Sequence, residues 1–181
     1  MPTRRRPRVT GEAGFSLLEL VIVVAMAAAV LLVFVQGVRQ ASASFLVRKA
    51  ANITIAEIRT AQAASMANGI DVAVEFYTST GSSTPGGIVM WARNPTTGIW
   101  SQLRTVLPPE FPVSVQMPDG PTNFQDCPPA INASHDCVIF KPLGYAEDDG
   151  DIRLRAIGAS SIQLDIVMDE PATGRVAVER P

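Results

Sequence analysis

The sequence predicts an α+β protein, with one long N-terminal helix, membrane-spanning in its first half, packed on a mostly antiparallel β-sheet. Three observations predict it. Residues 15–35 are apolar with a single ionisable exception, Glu19. Helical signal then continues without a proline as far as Asn68-Gly69. From Ile70 onward the apolar residues alternate instead, the period of a half-buried strand. A helix held against one face of an antiparallel sheet is the economical way to bury both apolar faces. The chain therefore divides into a leader over 1–14, a transmembrane helix over 15–35, an extracytoplasmic half of the same helix over 36–69, and a β-rich globular domain over 70–181.

The leader is basic. Arg4, Arg5, Arg6 and Arg8 precede the apolar run, and Glu12 is its one acid. Lysines and arginines stay on the cytoplasmic side, so the rest of the chain is expected to be exported. A secretory signal peptide has an apolar core of about 7–15 residues with its cleavage site beyond it; the run here is longer. A helix over 15–35, at ~1.5 Å per residue, reaches across a ~30 Å hydrocarbon core. A plain signal anchor has the same length. Glu19 separates the two readings, because a carboxylate in mid-membrane costs about 2.5–3.5 kcal/mol and an anchor has no use for it.

The run Gly14-Phe15-Ser16-Leu17-Leu18-Glu19 before an apolar helix resembles the class III leader of type IV pilins and type II secretion pseudopilins. The resemblance implies cleavage between Gly14 and Phe15 by a prepilin peptidase, and N-methylation of Phe15. It implies that Glu19 pairs with a subunit's N-terminal amine during assembly. It also implies a pilin-like fold, with other pilins or pseudopilins, an inner-membrane assembly platform and the lipid bilayer as partners. Within that family, Phe140-Lys141-Pro142-Leu143-Gly144, Thr173-Gly174-Arg175-Val176 and the helix end Ile58–Ser65 with Asn68-Gly69 are similar to the minor pseudopilin H (GspH) and FimT group. The leader match covers about a fifth of the chain, and the domain match is a few scattered residues. The cysteine loop described below departs from that group. The expected role is a minor pilin or pseudopilin, held in the inner membrane with its N-terminus cytoplasmic and then built into a pseudopilus or pilus. The alternative is a FimT-like DNA-binding minor pilin serving DNA uptake.

In the second half of the helix, Val47, Ala50, Ala51, Thr54, Ile58 and Ala61 share one face, with Ile55 at its edge. That face is smooth enough to lie on a sheet. Arg48, Glu57 and Arg59 are expected to point elsewhere, and Ile53 lies off the stripe, facing a neighbouring subunit or solvent. Gly37 is the weak point, at about 1 kcal/mol relative to alanine. Asn68-Gly69 supplies the stop, since both residues tolerate a left-handed backbone.

Strands follow. Val72, Val74 and Phe76 alternate with Ala73, Glu75 and Tyr77 as a half-buried strand, and residues 78–87 read as a flexible loop. Ile88–Trp91 and Trp100–Val106 flank the turn Asn94–Gly98. Val113, Val115 and Met117 predict one more alternating strand, and Pro118–Asp136 a long loop. Val138–Lys141, Ile152–Ala156, Ile162–Met168 and Arg175–Val178 complete the set, with turns at Gly158–Ser161 and Pro171–Gly174.

The net charge of −2 combines the basic leader with a remainder near −5, which argues against a strongly basic nucleic-acid-binding domain. Cys127 and Cys137 both lie in the exported part, where an even pair is expected to form a disulfide. With His135 as the sole histidine, a tetrahedral zinc site is one ligand short. Asp148, Asp149 and Asp151 around Gly150 suit either calcium or a solvated turn, and their spacing is not that of an EF-hand. Trp91 and Trp100 with Arg93 and Arg104 read as a stacking and phosphate patch for DNA, or as a hairpin with half-buried aromatics and solvated arginines. Gly86-Gly87 reads as a bend, not as a phosphate loop. No triad or metal set for hydrolysis is legible, so neither an enzyme nor a cofactor is expected.

Overall fold

The computed structural model describes residues 16–77, 85–118, 124–170, 173 and 175–179. The leader with Gly14 and Phe15, most of the predicted loop over 78–87, and Pro171, Ala172 and Gly174 lie outside the described residues.

Helix α1 spans Leu17–Asn68 without interruption, Gly37 included. The Ser16 carbonyl accepts from the N–H groups of Glu19 and Leu20 at 3.0 and 3.2 Å, which starts the helix. From Ser16 to Arg39 every residue is exposed, among them Leu17–Val24 and Val30–Val35. One 18-residue window there is apolar enough to cross a membrane, and none of it is buried by the protein itself. Gln40–Pro181 forms a separate compact unit with a core of its own, whose fully buried members begin at Val47 and against whose edge Ala43 and Leu46 pack. The core of this unit therefore draws on no residue of the exposed stretch 16–39.

Within that unit α1 buries Val47, Ala50, Ala51, Thr54, Ile58 and Ala61, the stripe the periodicity predicts. The Thr54 hydroxyl is satisfied by donating to the Ala50 carbonyl at 3.0 Å. Ile53, read as lying off the stripe, is half-buried against the edge of the core. The helix ends as expected. Gly69 takes φ 62°, and the Ile70 N–H donates to the Ser65 carbonyl at 3.3 Å, a Schellman closure.

The strands make two sheets where the sequence suggested one. Strands β1 (Val72–Phe76), β2 (Ile88–Arg93), β3 (Trp100–Val106), β5 (Gln125–Asp126) and β6 (Asp136–Phe140) form the first, in the order β3-β2-β1-β6-β5. Strands β4 (Val115–Gln116), β7 (Gly150–Ala156), β8 (Ala159–Glu170) and β9 (Arg175–Glu179) form the second, in the order β4-β7-β8-β9. Every described pairing is antiparallel. One core joins α1 to both sheets through Phe76, Phe140, Ile88, Leu154 and Ile166, with Phe111 from the loop before β4. Burying fully apolar side chains of this kind stabilises by roughly 1.5–3 kcal/mol each.

Several elements differ from expectation, each for a physical reason. Strand β1 is buried on both faces because it is the central strand of five, paired to β2 and β6. Strand β4 keeps two residues of the expected five-residue run; Val113 falls in a turn and is exposed, while Val115 and Met117 are buried. The long loop carries the short strand β5, which pairs Gln125 with Cys137 and Asp126 with Asp136. Strand β8 starts at Ala159, so the reversal before it is tighter than Gly158–Ser161 and turns on Gly158 at φ 79°.

Candidate functional site

Glu19 lies in the first turn of α1, among exposed Leu17, Leu18 and Leu20. An acidic side chain here faces the positive end of the helix dipole, worth about 0.3–1 kcal/mol. The site is thus a carboxylate at the head of a bare apolar helix.

A second group of polar residues gathers on β1, inside the domain. Cys127 and Cys137 are disulfide-bonded with Cα atoms 4.8 Å apart, and both are buried. The bridge closes a loop in which the Cys127 N–H donates to the His135 carbonyl at 2.7 Å. The Asn132 Oδ1 accepts from the N–H and hydroxyl of Ser134, at 3.2 and 2.7 Å. The loop places the His135 ring against Tyr77, with centroids 4.6 Å apart. Its Nδ1 lies 2.7 Å from Oε1 of Glu75. The Asn132 amide nitrogen Nδ2 lies 3.1 Å from the same ring nitrogen. The indole N–H of Trp91 donates to the other oxygen, Oε2, at 2.8 Å. Glu75 is 2% exposed and sits directly opposite Cys137 and Val89 on the neighbouring strands. Burial first, and the Glu75 charge second, raise the Tyr77 phenol above its ordinary value of 10.0. An imidazole against a carboxylate also occurs in hydrolytic triads, but among the described residues no serine hydroxyl bonds this imidazole.

The remaining predicted residues are dispersed. Arg93 is paired with Asp71 at 3.3 Å, and Arg104 with Glu57 at 3.2 Å. With Trp91 bonded to Glu75, the two tryptophans and two arginines do not form one free cationic surface. Glu57 corrects an expectation, because it is buried on the core side of α1 and reaches the β3 arginine. Among the described residues no group of three or more His, Cys, Asp or Glu is placed to hold a metal, the aspartates around Gly150 included. Burial, with Glu147 and Asp149 behind it, raises the Asp148 carboxyl above the ordinary carboxylate range, partly offset by Lys141. Gly86 and Gly87 are buried packing positions: a Cβ on Gly86 would press on Met117, and one on Gly87 on Leu107.

Sequence reasoning missed Glu75. Its signal was an acid centred in an apolar strand, together with a lone histidine two residues before a cysteine. No protein-family model matches the chain, and neither a curated protein nor a solved structure matches it.

Proposed function

We infer that the chain is a minor pilin or pseudopilin, a membrane-anchored structural subunit without catalysis of its own, built into a type II secretion pseudopilus or type IV pilus after prepilin peptidase cleavage. The observation that carries the reading is Glu19, in the first turn of an apolar helix that the protein leaves uncovered and directly after Gly14-Phe15-Ser16. Anchoring alone is hindered by that carboxylate. Assembly uses it: an N-terminal amine on Phe15 of a neighbouring subunit meets the charge and sets the axial register, so misplaced neighbours are penalised. The anchor lies in the inner membrane with the domain outside the cytoplasm. The partners are the peptidase, other pilins and the assembly platform. The antiparallel α+β layout is compatible with the pilin-like fold and the GspH/FimT branch that the sequence resembles.

Mass spectrometry of membrane-extracted protein tests the reading. A chain beginning at methylated Phe15 is expected, and an intact Met1 start beside an active prepilin peptidase sinks it. Salt-dependent DNA binding by the domain would favour the DNA-uptake alternative.

A further inference from the structure

Two surface patches on the domain complement each other. The first lies on the outer face of α1, where Phe45, Arg48, Lys49, Asn52, Ile53 and Ala56 line a shallow depression. Phe45 is 68% exposed. Arg48 and Lys49 have no ion-pair partner among the described residues. No acid stands between Glu19 and Glu57 in the sequence to neutralise them.

The second patch is the turn between β6 and β7. Leu143 and Tyr145 are exposed there, at 83% and 41%. Glu147 pairs with Lys141 at 2.9 Å, while Asp148 and Asp149 have no ion-pair partner among the described residues. The turn is built in, not loose. Gly144 takes φ 83°, its N–H donates to the Lys141 carbonyl at 2.7 Å, and its own carbonyl accepts from the Gln62 amide of α1 at 2.8 Å. A Cβ on Gly144 would collide with Met66 near the end of α1.

The two patches therefore lie toward opposite ends of one helical stretch. From Phe45 to Gln62 is about 25 Å at ~1.5 Å per residue. One is apolar with surplus positive charge, the other apolar with surplus negative charge.

We propose that the Phe45–Arg48–Lys49 face of one subunit docks the Leu143–Asp149 turn of a second copy of this chain, in a head-to-tail contact along α1. Such a contact joins two different surfaces, so it leaves one of each free at the ends and propagates instead of closing. Apolar Phe45 and Leu143 lie at its centre, and the charges fix orientation and speed encounter. The contact stands on these patches alone and holds whether or not the leader is processed.

Sedimentation of the fragment Gln40–Pro181, which carries the whole core, is the test. The wild-type fragment is expected to associate into a ladder of sizes as concentration rises, more weakly in high salt. R48E/K49E and D148K/D149K should each weaken association at least about ten-fold. Mixed, the two variants offer one wild-type patch of each kind, and their reversed patches are opposite in charge to one another, so association is expected to return toward the wild-type level. Phe45→Ser and Leu143→Ser, mixed likewise, repeat the test without altering charge, and circular dichroism identifies any variant that fails to fold. A wild-type fragment that stays monomeric to about 1 mM, or folded variants that do not pair when mixed, overturns the proposal. Binding to anionic vesicles without self-association also overturns it, and assigns the basic face to lipid. A monomeric fragment from a chain still processed at Gly14–Phe15 removes the contact and leaves the fibre reading intact; an associating fragment from an unprocessed chain does the reverse.

Discussion

The imidazole Nδ1 of His135 and the carboxylate Oε1 of Glu75 meet at 2.7 Å across a separation of 60 residues. One belongs to a disulfide-closed loop, the other to the central strand of a sheet. The contact fastens the loop to the strand. Glu75→Ala would leave the Trp91 N–H without its acceptor and the His135 ring without its carboxylate partner in a buried site. A loss of about 2–4 kcal/mol is expected, with Glu75→Gln milder because it keeps a carbonyl acceptor. Urea unfolding of the Gln40–Pro181 domain reads both. An Ala variant within about 0.5 kcal/mol of wild type would show that the pair contributes nothing.

Breaking the disulfide is expected to cost about 2–3 kcal/mol, as a short closed loop allows. Because the loop delivers His135 to Glu75, the Cys127→Ala/Cys137→Ala and His135→Ala losses should not add. Strict additivity in a double-mutant cycle would mean that the bridge and the histidine act separately.

Tyr77 supplies a pH test at the alkaline end. Its folded-state pKa is raised by burial and then by Glu75. A raised folded value means that its contribution to stability is fully present below the unfolded pKa of 10.0 and is lost as pH rises through the folded value. Stability should therefore fall above about pH 10, and Tyr77→Phe should remove part of that fall. An unchanged alkaline slope in the variant would contradict the assignment.

Arg104 and Glu57 form a mixed pair, with side-chain exposures of 56% and 8%. Solvent screens the arginine end, so Arg104→Ala should cost only about 1 kcal/mol, and mainly by leaving Glu57 unpartnered. A double-mutant cycle with Glu57→Gln should show that coupling. A cycle with zero interaction energy would reduce the contact to surface decoration.

Glu19→Leu tests the assembly role. Membrane anchoring should be kept or strengthened, since a costly group is gone, and cleavage after Gly14 should survive. Cross-linking to neighbouring subunits should drop. Full incorporation of the variant into the fibre would rule out the pairing for this protein.

The pattern of α1 was legible because helical periodicity is dense: the Val47–Ala61 stripe and the Asn68-Gly69 stop are written residue by residue. The Asn94–Gly98 hairpin and the alternation of β7 were legible for the same reason, and the sole cysteine pair was readable by elimination. What escaped was set by partners far away in sequence. Nothing near Glu75 announces that β1 becomes central, or that Trp91 and His135 will reach its carboxylate. Glu57 looked solvated because its arginine comes from β3. The split into two sheets is likewise a matter of which strands pair, which alternation alone does not specify.

The bond from the Trp91 indole to Glu75 has an optical consequence. A tryptophan whose N–H is held by a buried carboxylate emits according to the state of that carboxylate, and Glu75 is shared with the histidine of the disulfide loop. The domain thus contains a native fluorophore wired to its one cross-link. A Trp100→Phe background isolates that signal, so oxidation of the loop can be followed by intensity alone, without any added dye.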